Sequence, residues 1–311
     1  MKEINIQAPA TIANLVCGFD VLGLCLDKPY DLMKVKLLDE RKVIIRSEDG
    51  YPLPTEPTQN TAGAPLLEIL SETNLTIGFE VTINKQIKPG SGIGSSAASA
   101  AGAVFAANCL MGNIYSKNDL VRLAMFGEKV ASGVKHADNI APCIFGGITL
   151  IRSIFPLDIV SISAPPLIIT LVHPQIEVRT SDARQILRKE VLLKDAIRQW
   201  GNIAGLVAGL MKGDYELIGR SLEDVIIEPV RSMLIPGFDE VKELCKQAGA
   251  LGGGISGSGP SIFMMSRDLQ TASQVEKIMQ DLYFKLDIPH HTYITTINPN
   301  GISVQNDDHF P

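Results

Sequence analysis

The eight residues Pro89-Gly-Ser-Gly-Ile-Gly-Ser-Ser96 hold the densest chemistry in the chain. Glycines at positions 90, 92 and 94 let a backbone approach a ligand closely. If a helix starts at Ser95, its free N–H groups and the positive end of its dipole form an anion site, and the hydroxyls of Ser95 and Ser96 suit phosphate oxygens or a metal. A loop whose serine simply caps the helix is the competing reading. The stretch is not a Walker loop, because no Gly-Lys-Ser/Thr follows, and Ser95 stands where a dinucleotide fingerprint needs its third glycine. Gly252, Gly254 and Gly257 do have that spacing, but they follow a helical pattern and lead into a strand, the wrong order for a dinucleotide site.

Two other places could carry charge chemistry. On a helix over Asn118–Ser132, Glu128 shares a face with Leu120, Ala124 and Ala131, and a buried acid there needs a cation, either a metal or a lysine such as Lys129 or Lys135. Asn14 and Asp20 lie in a glycine-containing loop, where such residues are turn formers by default.

The elements that would position these residues follow from periodicity. Strand patterns cover Glu3–Ala8, Leu32–Leu38, Lys42–Ser47 and Thr76–Asn84, and the last of these sets Ile77, Phe79, Val81 and Ile83 on one face. Helical patterns cover Ala64–Thr73 and the alanine-rich Ser95–Leu110, and Ser116 with Asp119 resembles a capping box for the helix that follows. The loop Pro89–Ser96 therefore sits between a strand and a helix. Prolines at 156, 165 and 166 break the pattern between Arg152 and Leu167, which places a domain boundary near residue 160, dividing the chain into 1–160 and 161–311. Beyond it come a strand at Leu167–His173 and helices at Asp182–Lys189, Leu192–Met211, Tyr215–Val225 and Gly237–Ala248. Strands at Ser261–Ser266 and Thr292–Ile297 close the chain. Helices and strands mix without strict alternation, so the class is α+β.

With 311 residues, 45% hydrophobic and 20% charged, the chain can bury a large core. A net charge of −6 argues against nucleic acid as partner. No apolar run approaches the roughly 20 residues of a membrane span, and the first residues lack a signal-peptide pattern. Five dispersed cysteines without metal-ligand spacing read as buried thiols in a reducing compartment, and the expected location is the cytoplasm.

Taken together, the three glycine-bearing segments resemble the GHMP kinases. That family's central motif joins a proline to Gly-Leu-Gly-Ser-Ser-Ala, and here Pro89, Gly92, Gly94, Ser95, Ser96 and Ala97 match it, with Ile93 in place of leucine. Gly253-Gly254-Ile-Ser-Gly257-Ser-Gly259-Pro260 is similar to its third motif. Pro9–Asn14, Gly18–Gly23, His136–Pro142, Thr180–Arg184 and Glu228–Gly237 are similar to the branch that acts on L-homoserine. The resemblance spans nearly the whole chain and implies a two-domain fold: an N-terminal ribosomal-protein-S5-like domain with a left-handed βαβ crossover and a ferredoxin-like C-terminal domain.

The resemblance also implies an activity, transfer of the ATP γ-phosphate to the hydroxyl of L-homoserine on the way to threonine. ATP would lie on Pro89, Gly90, Ser91, Gly92, Ile93, Gly94, Ser95 and Ser96, with Mg2+ on Glu128 and Ser96. Asn14 and Asp20 would hold the ammonium of the substrate, Arg184 and Arg231 its carboxylate, and His136, Asp138 and Asn139 would face the acceptor hydroxyl. The catalytic roles fall to Asp138, Asn139 and Arg184, and which of Asp138 and Asn139 meets the hydroxyl stays open. So does a homodimer. Another small alcohol such as mevalonate or shikimate is the alternative substrate, although Asp20 would repel one that carries only a carboxylate. A nucleotide-binding sensor without catalysis is a further alternative, against which Glu128, Ser96 and Arg184 speak.

Overall fold

A computed structural model describes residues 2–48, 51–178 and 180–305. The chain runs β1 (Glu3–Ala13), β2 (Leu22–Leu38), β3 (Val43–Ser47), α1 (Gly63–Glu72), β4 (Gly78–Asn84), α2 (Ser95–Leu110), α3 (Lys117–Ser132), α4 (Ile140–Phe145), β5 (Ile148–Ile154) and β6 (Leu157–Ile162). It continues through β7 (Ile168–Pro174), α5 (Thr180–Gln185), α6 (Leu193–Lys212), α7 (Tyr215–Ser221), α8 (Glu228–Arg231), α9 (Phe238–Gln247), β8 (Gly252–Ile255), β9 (Ile262–Ser266), α10 (Leu269–Lys285), β10 (His290–Thr296) and β11 (Ser303–Gln305).

The first sheet has the order β11-β1-β2-β4-β3, and β5 with β6 extends it from the opposite end of β2. On the edge away from β1 that long strand serves two partners, because Leu32–Leu38 pair with β4 and Leu22–Leu24 pair with β5. The second sheet, β10-β7-β9-β8, is antiparallel throughout. Its order, with α10 between β9 and β10 and a helical run between β7 and β8, is ferredoxin-like. The class is α+β, as the mixed pattern predicts.

Local chemistry accounts for the elements nearest the cavity. Phe79, Val81 and Ile83 of β4 are wholly buried, the face that alternation marks. Helix α2 is buried on nearly every side, and only small residues allow this: a Cβ on Gly102 would lie 2.4 Å from Met33 Sδ. Ser116 and Asp119 form the expected capping box at the start of α3.

Several regular stretches are absent from the sequence analysis, and three of them matter most. The first half of β2 is buried on both faces, so it lacks alternation. The hairpin of β5 and β6 lies where prolines suggest irregularity, and the cut at residue 160 falls inside β6. Helix α10 is an omission: Asp268 caps it by accepting from Thr271 N at 2.8 Å, and Ala272, Val275, Met279 and Leu282 face the core. All five cysteines are free thiols, and only Cys109 is partly exposed. Among the described residues no helix is long and apolar enough to cross a membrane. The last six residues, Asn306–Pro311, lie outside the described residues.

Candidate active site

A cavity of about 420 Å³ is lined by Asn14, Asp20, Ser96, Glu128, His136, Asp138, Asn139, Arg184 and Arg231, together with the glycines that follow β4. Sequence analysis names all nine of these side chains.

The loop between β4 and α2 forms one wall. Gly90, Gly92 and Gly94 all have positive φ, and a Cβ on Gly94 would lie 2.0 Å from Thr11 Oγ1. The late glycine cluster holds the loop from behind: Ser256 Oγ donates to Gly92 O at 2.8 Å and Ser261 Oγ donates to Ser91 O at 2.6 Å. Gly252–Ile255 form strand β8, so this cluster is a buttress and not a dinucleotide turn. The first N–H groups of α2 have no intrahelical partner and end beside the cavity, which favours an anion.

Individual side chains of the loop differ from expectation. Ser95 Oγ donates to Ile87 O at 2.8 Å, so that hydroxyl is spent inside the loop. Ser91 and Ile93 turn their side chains into the protein and do not line the cavity, which leaves only their backbones for a ligand.

Ser96 is different, because its hydroxyl donates to Glu128 Oε1. Glu128 is buried on α3, and burial pushes its carboxyl above the usual range against the pull of that hydrogen bond. Among the described residues no lysine or arginine pairs with it, and Lys135 instead lies over the Phe126 ring at 3.5 Å. A buried carboxylate beside a serine hydroxyl, facing a cavity, is a donor set for a hard cation that takes its remaining ligands from phosphate and water. Mg2+ fits it.

The other end of the cavity carries opposite charges. Arg184 Nη2 donates to both carboxylate oxygens of Asp20, at 2.9 and 3.0 Å. Arg231 is 3% exposed and donates from Nε to Ala183 O and from Nη1 to Gly257 O, each at 3.0 Å. Both arginines lie over the Phe19 ring, with Cζ 5.5 Å from its centroid for Arg184 and 4.9 Å for Arg231. His136 Nδ1 is 3.8 Å from Asp20 Oδ1, and burial lowers the pKa of that imidazole although Asp20 opposes it. Asn14 shapes this end: it accepts from Asp20 N at 3.1 Å and donates to Gly257 O at 2.9 Å. Asn14, Leu15, Val16 and Asp20 all have positive φ, which costs roughly 1–3 kcal/mol for a residue such as Val16, and such strain gathers at functional sites.

Between the two ends sit Asp138 and Asn139. Asn139 Oδ1 accepts from Thr11 Oγ1 at 2.8 Å. Burial, then the carboxylates of Asp20 and Glu128, push Asp138 up to about 7. Gly23 permits the approach of this segment, since a Cβ there would lie 1.8 Å from Asp138 O.

Residues 60–147 match the GHMP kinases N terminal domain and residues 206–285 the GHMP kinases C terminal family. The chain belongs to the GHMP kinases. Homoserine kinase from Chloroherpeton thalassium is 48% identical to this GHMP kinase over 92% of the chain and 94% of that protein. Homoserine kinase from Chlorobium phaeobacteroides is 46% identical over 98% of the chain and 100% of that protein. A crystal structure of homoserine kinase from Cytophaga hutchinsonii superposes with a TM-score of 0.94 at 45% identity, covering 98% of each chain.

Sequence analysis misses several residues of this GHMP kinase site. Thr11 and Phe19 lie within quoted motifs, yet nothing in their types marks them. Lys85 was detectable, as a lysine directly after a half-buried strand and before the glycine loop. It is 4% exposed and also lines the cavity. Of the two arginines that flank Arg184 in the sequence, Arg188 is exposed and Arg179 lies outside the described residues.

Proposed function

We infer that the protein is a homoserine kinase, transferring the γ-phosphate of ATP to the hydroxyl of L-homoserine to give O-phospho-L-homoserine and ADP. The observation that carries this is one cavity with an anion-binding loop and a buried carboxylate at one end and a carboxylate bonded to an arginine at the other. Asp20 and Arg184 satisfy each other, so a ligand that separates them must replace both charges. A zwitterionic amino acid does so, whereas an alcohol with a single carboxylate leaves Asp20 unpaired.

In this reading the backbone from Gly90 to Ser96 cradles the phosphates, and Ser96 and Glu128 hold Mg2+, which neutralises charge on the transferring group. Asp20 takes the ammonium, while Arg184 and Arg231 take the carboxylate as planar forks. Arg231 has Nε and Nη1 committed to carbonyls and offers Nη2. Asn139 orients the hydroxyl and Asp138 accepts its proton. Residues 1–160 supply the loop and the metal carboxylate, and residues 161–311 supply the arginines and the buttress. The enzyme acts in the cytoplasm.

An ADP-release assay with homoserine, mevalonate and shikimate tests the substrate. Homoserine is expected to be preferred in kcat/KM by about a hundredfold or more. No ADP above buffer with homoserine, or preference for another alcohol, overturns the reading.

The proton acceptor has its own test. A carboxyl raised to about 7 gains its charged form as pH rises, so kcat/KM should climb through neutral pH and level off above it. Asp138→Asn is expected to abolish that limb. If the limb survives in the variant, Asp138 is not the acceptor.

A further inference from the structure

Beneath the phosphate loop lies an ion pair that the reaction chemistry above does not use. Lys85 Nζ bonds the carboxylate of Asp31, and both side chains are at most 1% exposed. The same ammonium donates to Ser95 O at 3.0 Å and to Ser99 Oγ at 3.2 Å, so it reaches the first turn of α2. Asp31 Oδ1 accepts from Gln86 N and Ile87 N, each at 2.9 Å, so the carboxylate reaches the point where the chain leaves β4. Ser95 Oγ then closes the ring by donating to Ile87 O.

We propose that Asp31 and Lys85 are a positioning pair for the phosphate site: they fix both ends of the loop from Ile87 to Ser95, with the ammonium end of the pair turned to the start of α2. This rests on the reading that the loop binds ATP, and it adds residues from outside the loop to that site.

Stability alone gives little reason for such a pair. A buried ion pair gains little over well-packed apolar residues, because both charges must be desolvated. What it does provide is a fixed geometry. The glycines at 90, 92 and 94 make the loop adaptable, and an adaptable loop would spend binding free energy on ordering when phosphate arrives. With its entry and exit bonded to one charged unit, its amides are held ready for the anion. The ammonium end of the pair also lies nearest the helix start, so the dipole of the pair adds to that of α2 in a dry setting.

The test uses the full-length chain with Asp31→Asn and Lys85→Met combined. The asparagine oxygen still accepts from the two backbone amides, and neither charge remains unpaired. Affinities for AMP-PNP with Mg2+, for adenosine and for homoserine are measured by calorimetry, with a thermal melt to establish folding. AMP-PNP is expected to bind at least about tenfold more weakly, the effect of one charge-assisted bond, with adenosine and homoserine each within about twofold of the parent. A folded double variant that binds AMP-PNP like the parent, or that loses AMP-PNP and adenosine equally, overturns the proposal. Should that variant not fold, Asp31→Glu carries the test, because it keeps both charges and displaces them by one methylene. It is expected to weaken AMP-PNP more than adenosine, and unchanged AMP-PNP affinity overturns the proposal. A parent protein that does not bind AMP-PNP at all overturns the ATP reading itself.

Discussion

Glu128→Gln is expected to lower kcat by about a thousandfold, roughly 4 kcal/mol of transition-state stabilisation, while the protein stays folded and becomes slightly more stable. The two effects have one cause. Glu128 is buried with Ser96 as its hydrogen-bonding partner and, among the described residues, no cation in an ion pair with it, so its charged form is costly. Because its pKa is raised on folding, Glu128 contributes stability that is complete below the unfolded pKa and lost as pH rises through the folded one. Glutamine keeps the acceptor for Ser96 Oγ and removes that loss. A rise in melting temperature that grows with pH, beside the fall in kcat, is therefore the expected pair of readings. A variant with lowered stability and parental turnover would make Glu128 a structural acid instead.

Arg231→Leu is expected to raise the KM for homoserine by about a hundredfold and the KM for ATP by no more than about threefold. A charged hydrogen bond to a carboxylate in a dry site contributes about 1.5–3 kcal/mol, or about ten- to 150-fold in KM, and the expected factor lies toward the top of that range. Arg231 also holds Ala183 O beside Arg184 and Gly257 O beside Asn14, so its loss disturbs the partner fork as well. Some loss of stability will accompany it, about 1–3 kcal/mol, since Ala183 O loses this bond. Arg231→Lys keeps the charge but not the fork and should fall between parent and leucine variant in homoserine KM. Steady-state kinetics with each substrate varied in turn decide the matter: equal rises in both KM values would remove Arg231 from the substrate end.

Much of this site was legible because its signals are local. Glycines two apart between a strand and a helix predict an anion loop, and an acid on the apolar face of α3 predicts a cation nearby. Both inferences need only the periods of helix and strand. Side-chain direction within the loop was not legible. Ser95 and Ser96 are adjacent and chemically identical, yet one bonds the loop and the other Glu128, because the left-handed Gly94 sets the entry of the helix. Likewise the left-handed conformations of Leu15 and Val16 run against the preference of those residue types, and only surrounding packing imposes them.

Helix α10 shows a different limit. Its cap and apolar spacing are present in the sequence, so the omission reflects a weak pattern between two clear strands and not missing information.

By itself, the sequence determined the α+β class, the glycine loop between strand and helix, the buried acid and, through the order of its motifs, the kinase family. Tertiary structure alone decided that Asp20 and Arg184, 164 residues apart, bond each other, and that Asp31 and Lys85 join beneath the loop. The reason is physical: periodicity and turn chemistry act over a few residues, whereas the partner of a charge is whatever the packed sheets bring within about 3 Å of it.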